Sequence, residues 1–202
     1  LPAGPDEDAL DVQSWMGICQ AVIAKPLVGQ PASEEDRELW PWWKAKKWAC
    51  QITSRFFTRY GNPHYADPSM APFAEVFSKQ YAPMLLEQVM NTLALRPRGE
   101  YCTDRVVHAC LSFVTSAMEL SHTYKLLKPH LDFLLFEVVF PVLCLSNKDI
   151  EAFETDPREY IHKNNDPTED FLSPRIPAVN LLTQLAKHRG KECLPKVCVC
   201  VV

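Results

Sequence analysis

PWWKAKKWACQITSRFFTRYGNP, residues 41–63, sets apolar side chains at Ala45, Ala49, Ile52, Phe56 and Tyr60, with Trp48 beside them. Steps of three and four bring such residues onto one side of an α-helix. Gly61, Asn62 and Pro63 then close the helix, since a glycine can turn left-handed and a proline cannot continue the ladder.

The same spacing recurs on both sides of this stretch. Residues 10–24 make a shorter apolar helix carrying Trp15 and Met16. A helix over 72–95 aligns Phe73, Phe77, Tyr81, Leu85, Val89 and Leu93, with Pro83 as an expected kink. The next starts at Thr103, a side chain suited to an N-cap, and aligns Val106, Cys110, Phe113, Ala117 and Leu120 before ending near Ser121. Residues 124–145 align Leu127, Leu131, Leu134, Val138, Val142 and Leu145, with Pro129 near the first turn and Pro141 expected to bend the helix. Ser173 and Pro174 open a helix running to Lys187, closed by Gly190. No sustained period-two alternation and no Asn-Gly or Asp-Gly hairpin argues for strands.

Helices of this length joined by short turns fit either one bundle or a stack of antiparallel pairs. Pairing them in order gives a first pair over 10–60 with a linker at 25–40, a second over 70–121, and a third over 124–190 with an acidic insertion at 147–172. Residues 191–202 then begin the next repeat. These units are somewhat longer than the roughly 40 to 47 residues of a HEAT repeat, and the excess falls in the two linkers. The expectation is all-α, a solenoid of about three HEAT-type pairs across 1–202.

Composition narrows the classes. With 47% hydrophobic and 23% charged residues the chain is globular, neither disordered nor fibrous. No apolar run reaches the eighteen or so residues of a membrane span, and the densest, 131–145, is broken by Asp132, Glu137 and Pro141. Residues 1–11 lack the features of a signal peptide and read as the interior of a longer chain. The eight cysteines lack the paired spacing of a disulfide scaffold, which fits free thiols in a reducing compartment, and the CVCVV ending is no prenylation box. Six histidines without a nucleophile signature, an HExxH or a phosphate-cradling glycine loop argue against an enzyme, and no cofactor is expected. Cys193, Cys198, Cys200 and His188 match no standard zinc spacing.

Charge is distributed unevenly. The linker at 25–40 holds Pro26, Gly29, Pro31 and the run Glu34-Glu35-Asp36, and reads as a solvated connection. Between Asp149 and Asp170 stand eight carboxylates against only Arg158 and Lys163, an excess greater than the −4 of the whole chain.

Three stretches resemble the importin-beta superfamily of nuclear transport receptors, in the branch containing importin seven, importin eight and the exportin of importin alpha. They are Pro41-Trp42-Trp43-Lys44 through Lys46-Lys47-Trp48-Ala49 to Arg59-Tyr60-Gly61, then Val138-Val139-Phe140-Pro141, and Asp156-Pro157-Arg158-Glu159-Tyr160-Ile161 continuing to Glu169-Asp170-Phe171. Their order and spacing span about two thirds of the chain; His162-Lys163-Asn164-Asn165 and the Cys-rich end depart from the pattern. The resemblance implies a right-handed superhelical fragment from the middle of a longer receptor. It further implies residence in nucleus, cytoplasm and nuclear pore, with a Ran-type small GTPase, FG-repeat nucleoporins and basic protein cargo as partners.

Within such a stack the second helix of each pair lines the concave side. The stripe that 42–60 leaves free there is Lys44, Lys47, Gln51, Arg55 and Arg59, a cationic ridge for an acidic protein surface or merely a solvated face. Glu154, Asp156, Glu159, Glu169 and Asp170 of the acidic insertion form the expected contact for Ran or basic cargo, with Tyr160 and Ile161 pinning the insertion to its neighbour. Tryptophans among cations raise nucleic-acid binding, but tryptophans at helical spacing are usually core and a pI near 5.9 lacks the basic footprint. An export receptor of the same superfamily and a helical scaffold without a transport role stand as alternatives to an importer.

Overall fold

The computed structural model describes residues 5–164 and 173–199, and among these it contains helices and no strand. Helix α1 (Pro5–Ala24) leads through a connection containing α2 (Glu34–Leu39) to α3 (Pro41–Phe56), which ends in a wide π-turn, Phe57–Gly61. Then come α4 (Ala71–Val76), a second π-turn (Phe77–Tyr81) and α5 (Ala82–Leu93), one interrupted rod, followed by α6 (Asp104–Glu119). A second interrupted rod runs through α7 (Ser121–Leu127), a tight turn (Lys128–His130), a π-segment (Phe133–Val139) and α8 (Phe140–Leu143). Two short helices, α9 (Asn147–Thr155) and α10 (Pro157–Asn164), precede α11 (Arg175–Val199).

The packing order makes this a stack. One layer holds α1 and the two interrupted rods; the other holds α3, α6 and α11, with α6 packed most extensively against α3 on one side and α11 on the other. Helix α1 lies on α3 and α5, α5 on α6, and α8 on α11, so each antiparallel pair leans on the next and one apolar seam runs between the layers. This is the all-α HEAT-type solenoid expected from the periodicity.

Prolines explain the interrupted rods. A proline inside an α-helix has no N–H to donate and its ring collides with the carbonyl four residues back. Pro83 and Pro141 each follow a π-segment, whose wider turn leaves room for the ring, and Pro129 sits inside a tight 3-10 turn. The expected bends at Pro83 and Pro141 are thus met by a change of helical pitch. The expected cap at Thr103 is present, its hydroxyl accepting from the Val106 amide at 3.4 Å. At the far end Arg189 breaks α11, with φ −135 and ψ 26, one residue before Gly190. Beyond the break the chain returns to the first layer: Tyr124 Oη donates to Glu192 at 2.7 Å, Lys128 reaches the same carboxylate at 3.0 Å, and Lys196 pairs with Asp132.

The layers are locked by three fully buried rings. Phe57 at the end of α3, Phe77 in the π-turn before α5 and Phe113 in α6 stand with centroids 5.6 and 5.1 Å from Phe57. Gly61 owes its place to this cluster and not to a left-handed turn, since positive φ occurs only at Gly29 and Gly99 among the described residues. A Cβ at Gly61 would lie 2.3 Å from Cδ1 of Phe77, inside its ring.

Two connections carry more structure than a solvated linker requires. In 25–40, Ser33 caps α2, whose first turn places Glu34, Glu35 and Asp36 against the positive end of the helix dipole. Arg37 folds the loop on itself by donating to the Pro31 and Ala32 carbonyls at 2.5 and 3.0 Å. The acidic insertion is likewise helical over α9 and α10, started by a reciprocal capping box between Ser146 and Asp149.

Replacing Gly61 by Ala forces a methyl into a buried ring. The expected outcome in urea denaturation is a loss of about 1–3 kcal/mol, and the double variant G61A/F77L should recover part of it.

Candidate functional site: two oppositely charged surfaces

Helix α3 divides its side chains sharply. Trp43, Lys46, Cys50 and Thr53 are buried, whereas Lys44, Arg55 and Arg59 are exposed, with Lys47 and Gln51 half-buried between them. The structure therefore keeps the expected ridge residues on the outer side of the helix and its π-turn. None of Lys44, Lys47, Arg55 or Arg59 has an ion-pair partner among the described residues.

Two features of this helix differ from expectation. The first is tryptophan: only Trp43 is core, donating its Nε1–H to Gln30 at 3.0 Å and meeting Tyr101 edge-on at 5.6 Å. Trp42 and Trp48 are 43% and 54% exposed and lie under cations, Lys25 at 4.6 Å and Lys47 at 4.5 Å. A Tyr60 counted on the buried stripe is also exposed, because the π-turn rotates it outward. The second is Lys46, which belongs to the core. Its ammonium donates to the carbonyls of Ile23 at 2.7 Å and Lys25 at 3.0 Å, capping the C-terminus of α1 where a cation meets the negative end of the dipole. Burial lowers its pKa.

Tertiary packing adds a cation the ridge did not include. Arg105, in the first turn of α6, stands with Lys44 and Lys47 around a cleft of about 310 Å³ that Glu38, Leu39 and Trp43 complete. Burial first, and then repulsion from Arg105 and Lys44, lower the Lys47 pKa.

The acidic surface grows from the third pair. Glu154, Asp156 and Glu159 are exposed on α9, α10 and the turn between them, while Glu169 and Asp170 lie outside the described residues. Asp156 also has a structural task, its Oδ1 accepting from the amides of Arg158 and Glu159 at 3.0 Å to start α10. Phe153 and Tyr160 hold the two helices together edge-on at 5.7 Å. Arg175 of α11 anchors the base, pairing with Asp149 at 2.6 Å. Burial would raise the Asp149 pKa, but the Ser146 hydroxyl and amide and the Arg175 guanidinium outweigh it and hold it low. Ile150 and Phe153 remain nearly half exposed, so the acidic hairpin also has an apolar edge. Among the described residues Cys19, Cys50, Cys102, Cys110 and Cys193 are buried and Cys144 is exposed; the Cys50 and Cys110 sulfurs lie 3.8 Å apart, and burial pushes the Cys102 thiol up to about 12. No cluster of three or more metal-ligating side chains occurs among the described residues.

Stacked helical pairs with one continuous apolar seam define a HEAT-type repeat stack. The chain belongs to the Cse1 family, whose model matches residues 9–201, and so to the karyopherins of the importin-beta superfamily. It is 39% identical over 185 residues to the importin beta-like SAD2 homolog of Arabidopsis thaliana and 35% identical over 186 residues to importin-8 of Homo sapiens, covering 91% of this chain in both cases. It is also 30% identical over 185 residues to nonsense-mediated mRNA decay protein 5 of Saccharomyces cerevisiae, covering 89% of this chain. The chain spans 18% of the length of each of these relatives. No solved structure matches it.

Lys46→Ala strands two carbonyls at the end of α1 and should cost about 1–3 kcal/mol in urea denaturation, whereas Lys44→Ala should stay within about 0.5 kcal/mol. At the hairpin, Asp149 gains stability from its depressed pKa above the ordinary carboxylate range, and loses it as pH falls through the folded value. A carbon-detected NMR titration should place its midpoint below that of the Arg175→Gln variant, which removes the guanidinium.

Proposed function

We propose that the protein containing this chain is a nuclear import receptor, and that this segment supplies two charged contact surfaces. The α3 ridge meets an acidic partner surface, and the α9–α10 hairpin meets basic cargo or a Ran-type GTPase. The observation that carries the reading is charge left open on separate units: cations of the ridge without ion-pair partners among the described residues on the first pair, and exposed carboxylates on the third. Complementary charge of this kind raises association rate and selects partners. Passage through the pore by FG-repeat nucleoporins falls to the layer of α1 and the interrupted rods, where Val76 and Leu126 are exposed. Membership of a family of nuclear transport receptors supports shuttling between nucleus and cytoplasm.

Pull-down of cargo by the full-length protein, with and without GTP-locked Ran, tests the direction. Release by the GTPase is expected; promotion of cargo binding makes it an exporter, and indifference together with no FG-peptide binding makes it a scaffold. The triple variant K44E/K47E/R55E should weaken an acidic partner by roughly tenfold while leaving the far-UV circular dichroism unchanged.

A further inference from the structure

We infer that the cleft between α2, α3 and the start of α6 is a specific seat for an acidic peptide segment of a partner protein, with Arg105 as its central anchor. This rests on the reading that the α3 ridge faces an acidic partner, and it places the contact at one end of the ridge. Lys44, Lys47 and Arg105 converge there from two helices that are distant in sequence. Neither Lys44 nor Arg105 has an ion-pair or hydrogen-bonding side-chain partner among the described residues, although Arg96, eight residues before Asp104, finds that neighbouring carboxylate at 2.5 Å. Lys47 lies over the face of Trp48 at 4.5 Å and pairs with no carboxylate among the described residues.

Three cations lining one cleft repel one another, and with Glu38 paired to none of them among the described residues a carboxylate between them relieves that repulsion. The first turn of α6, which lines the same cleft through Thr103 and Arg105, adds the positive end of a helix of sixteen residues. The rest of the lining specifies what kind of anion fits. Leu39, 65% exposed, forms an apolar wall suited to a peptide side chain. Glu38 shares the lining with the cations and disfavours the dense charge of a nucleic-acid backbone while tolerating a spaced row of carboxylates. The volume of about 310 Å³ admits a few residues of an extended chain, not a folded surface. Arg55 and Arg59, further along α3, lie outside this lining.

The test uses the full-length protein and a fluorescein-labelled octaglutamate peptide, read by anisotropy at low salt, with octaglutamine as the uncharged control. Arg105→Ala and Lys47→Ala should each weaken octaglutamate about fivefold, Arg59→Ala should stay within about twofold, and Glu38→Gln should tighten binding about threefold. A gain at Glu38→Gln cannot come from misfolding. If Arg59→Ala weakens the peptide as much as Arg105→Ala and Glu38→Gln is neutral, the contact is spread along the ridge and the cleft is overturned while the ridge survives. If octaglutamate binds no better than octaglutamine, both readings fall. If a single-stranded oligodeoxyadenylate binds as tightly as the peptide, the assignment to an acidic protein segment is overturned.

Discussion

Contact among Phe57, Phe77 and Phe113 is the constraint on which the other features depend. Each ring comes from a different rod, and together they join the end of one second-layer helix to its neighbour and to the first layer. Aromatic burial of this kind is strong but directionless unless geometry fixes it. Here each of Phe57 and Phe77 stands at the start of a wide turn, and Gly61 supplies the clearance for the Phe77 ring. The rings hold α6 against the end of α3, α11 packs on α6 from its other side, and the apolar seam continues from pair to pair.

That arrangement decides which charges are available. A helix facing a seam on one side can bury a cation only where backbone carbonyls receive it, and α3 buries Lys46 on the end of α1. Lys44, two residues before it, and Lys47, one after it, are turned outward and line a cleft with Arg105 instead. The outward charged surface is thus the remainder after packing has taken its share, and one residue of register separates the buried Lys46 from the half-buried Lys47. On the third pair the same logic runs with opposite sign. Arg175 is drawn into the base of the hairpin by Asp149, and the carboxylates further out stay in water.

Much of this was legible from spacing alone. The long helices, the Thr103 cap, the ends near Gly61 and Gly190 and the outward stripe of α3 all follow from local rules, since each depends on residues within a turn or two. Arg105 escaped because its relation to Lys47 is purely tertiary: no local pattern ties the start of one helix to the middle of another. Trp42 and Trp48 were misjudged because bulk and helical spacing favour the core, while cations from Lys25 and Lys47 can cover a ring just as well at the surface. Helices α9 and α10 were hidden by their composition, both being short and highly polar and with no buried side chain among the described residues. The capping box at Ser146 and Asp149 was the signal that could have revealed the first of them.

The wide turns also affect how this chain should be compared with others. A π-turn holds one residue more than an α-helical turn, which rotates everything downstream by roughly 100°. Between Phe77 and Tyr81, and again between Phe133 and Val139, the surplus is absorbed inside a rod and not in a loop. A homologue without such a turn aligns correctly only with a single-residue gap in mid-helix, where scoring schemes penalise it most, and moving the gap to the nearest loop assigns outward-facing side chains to the wrong flank.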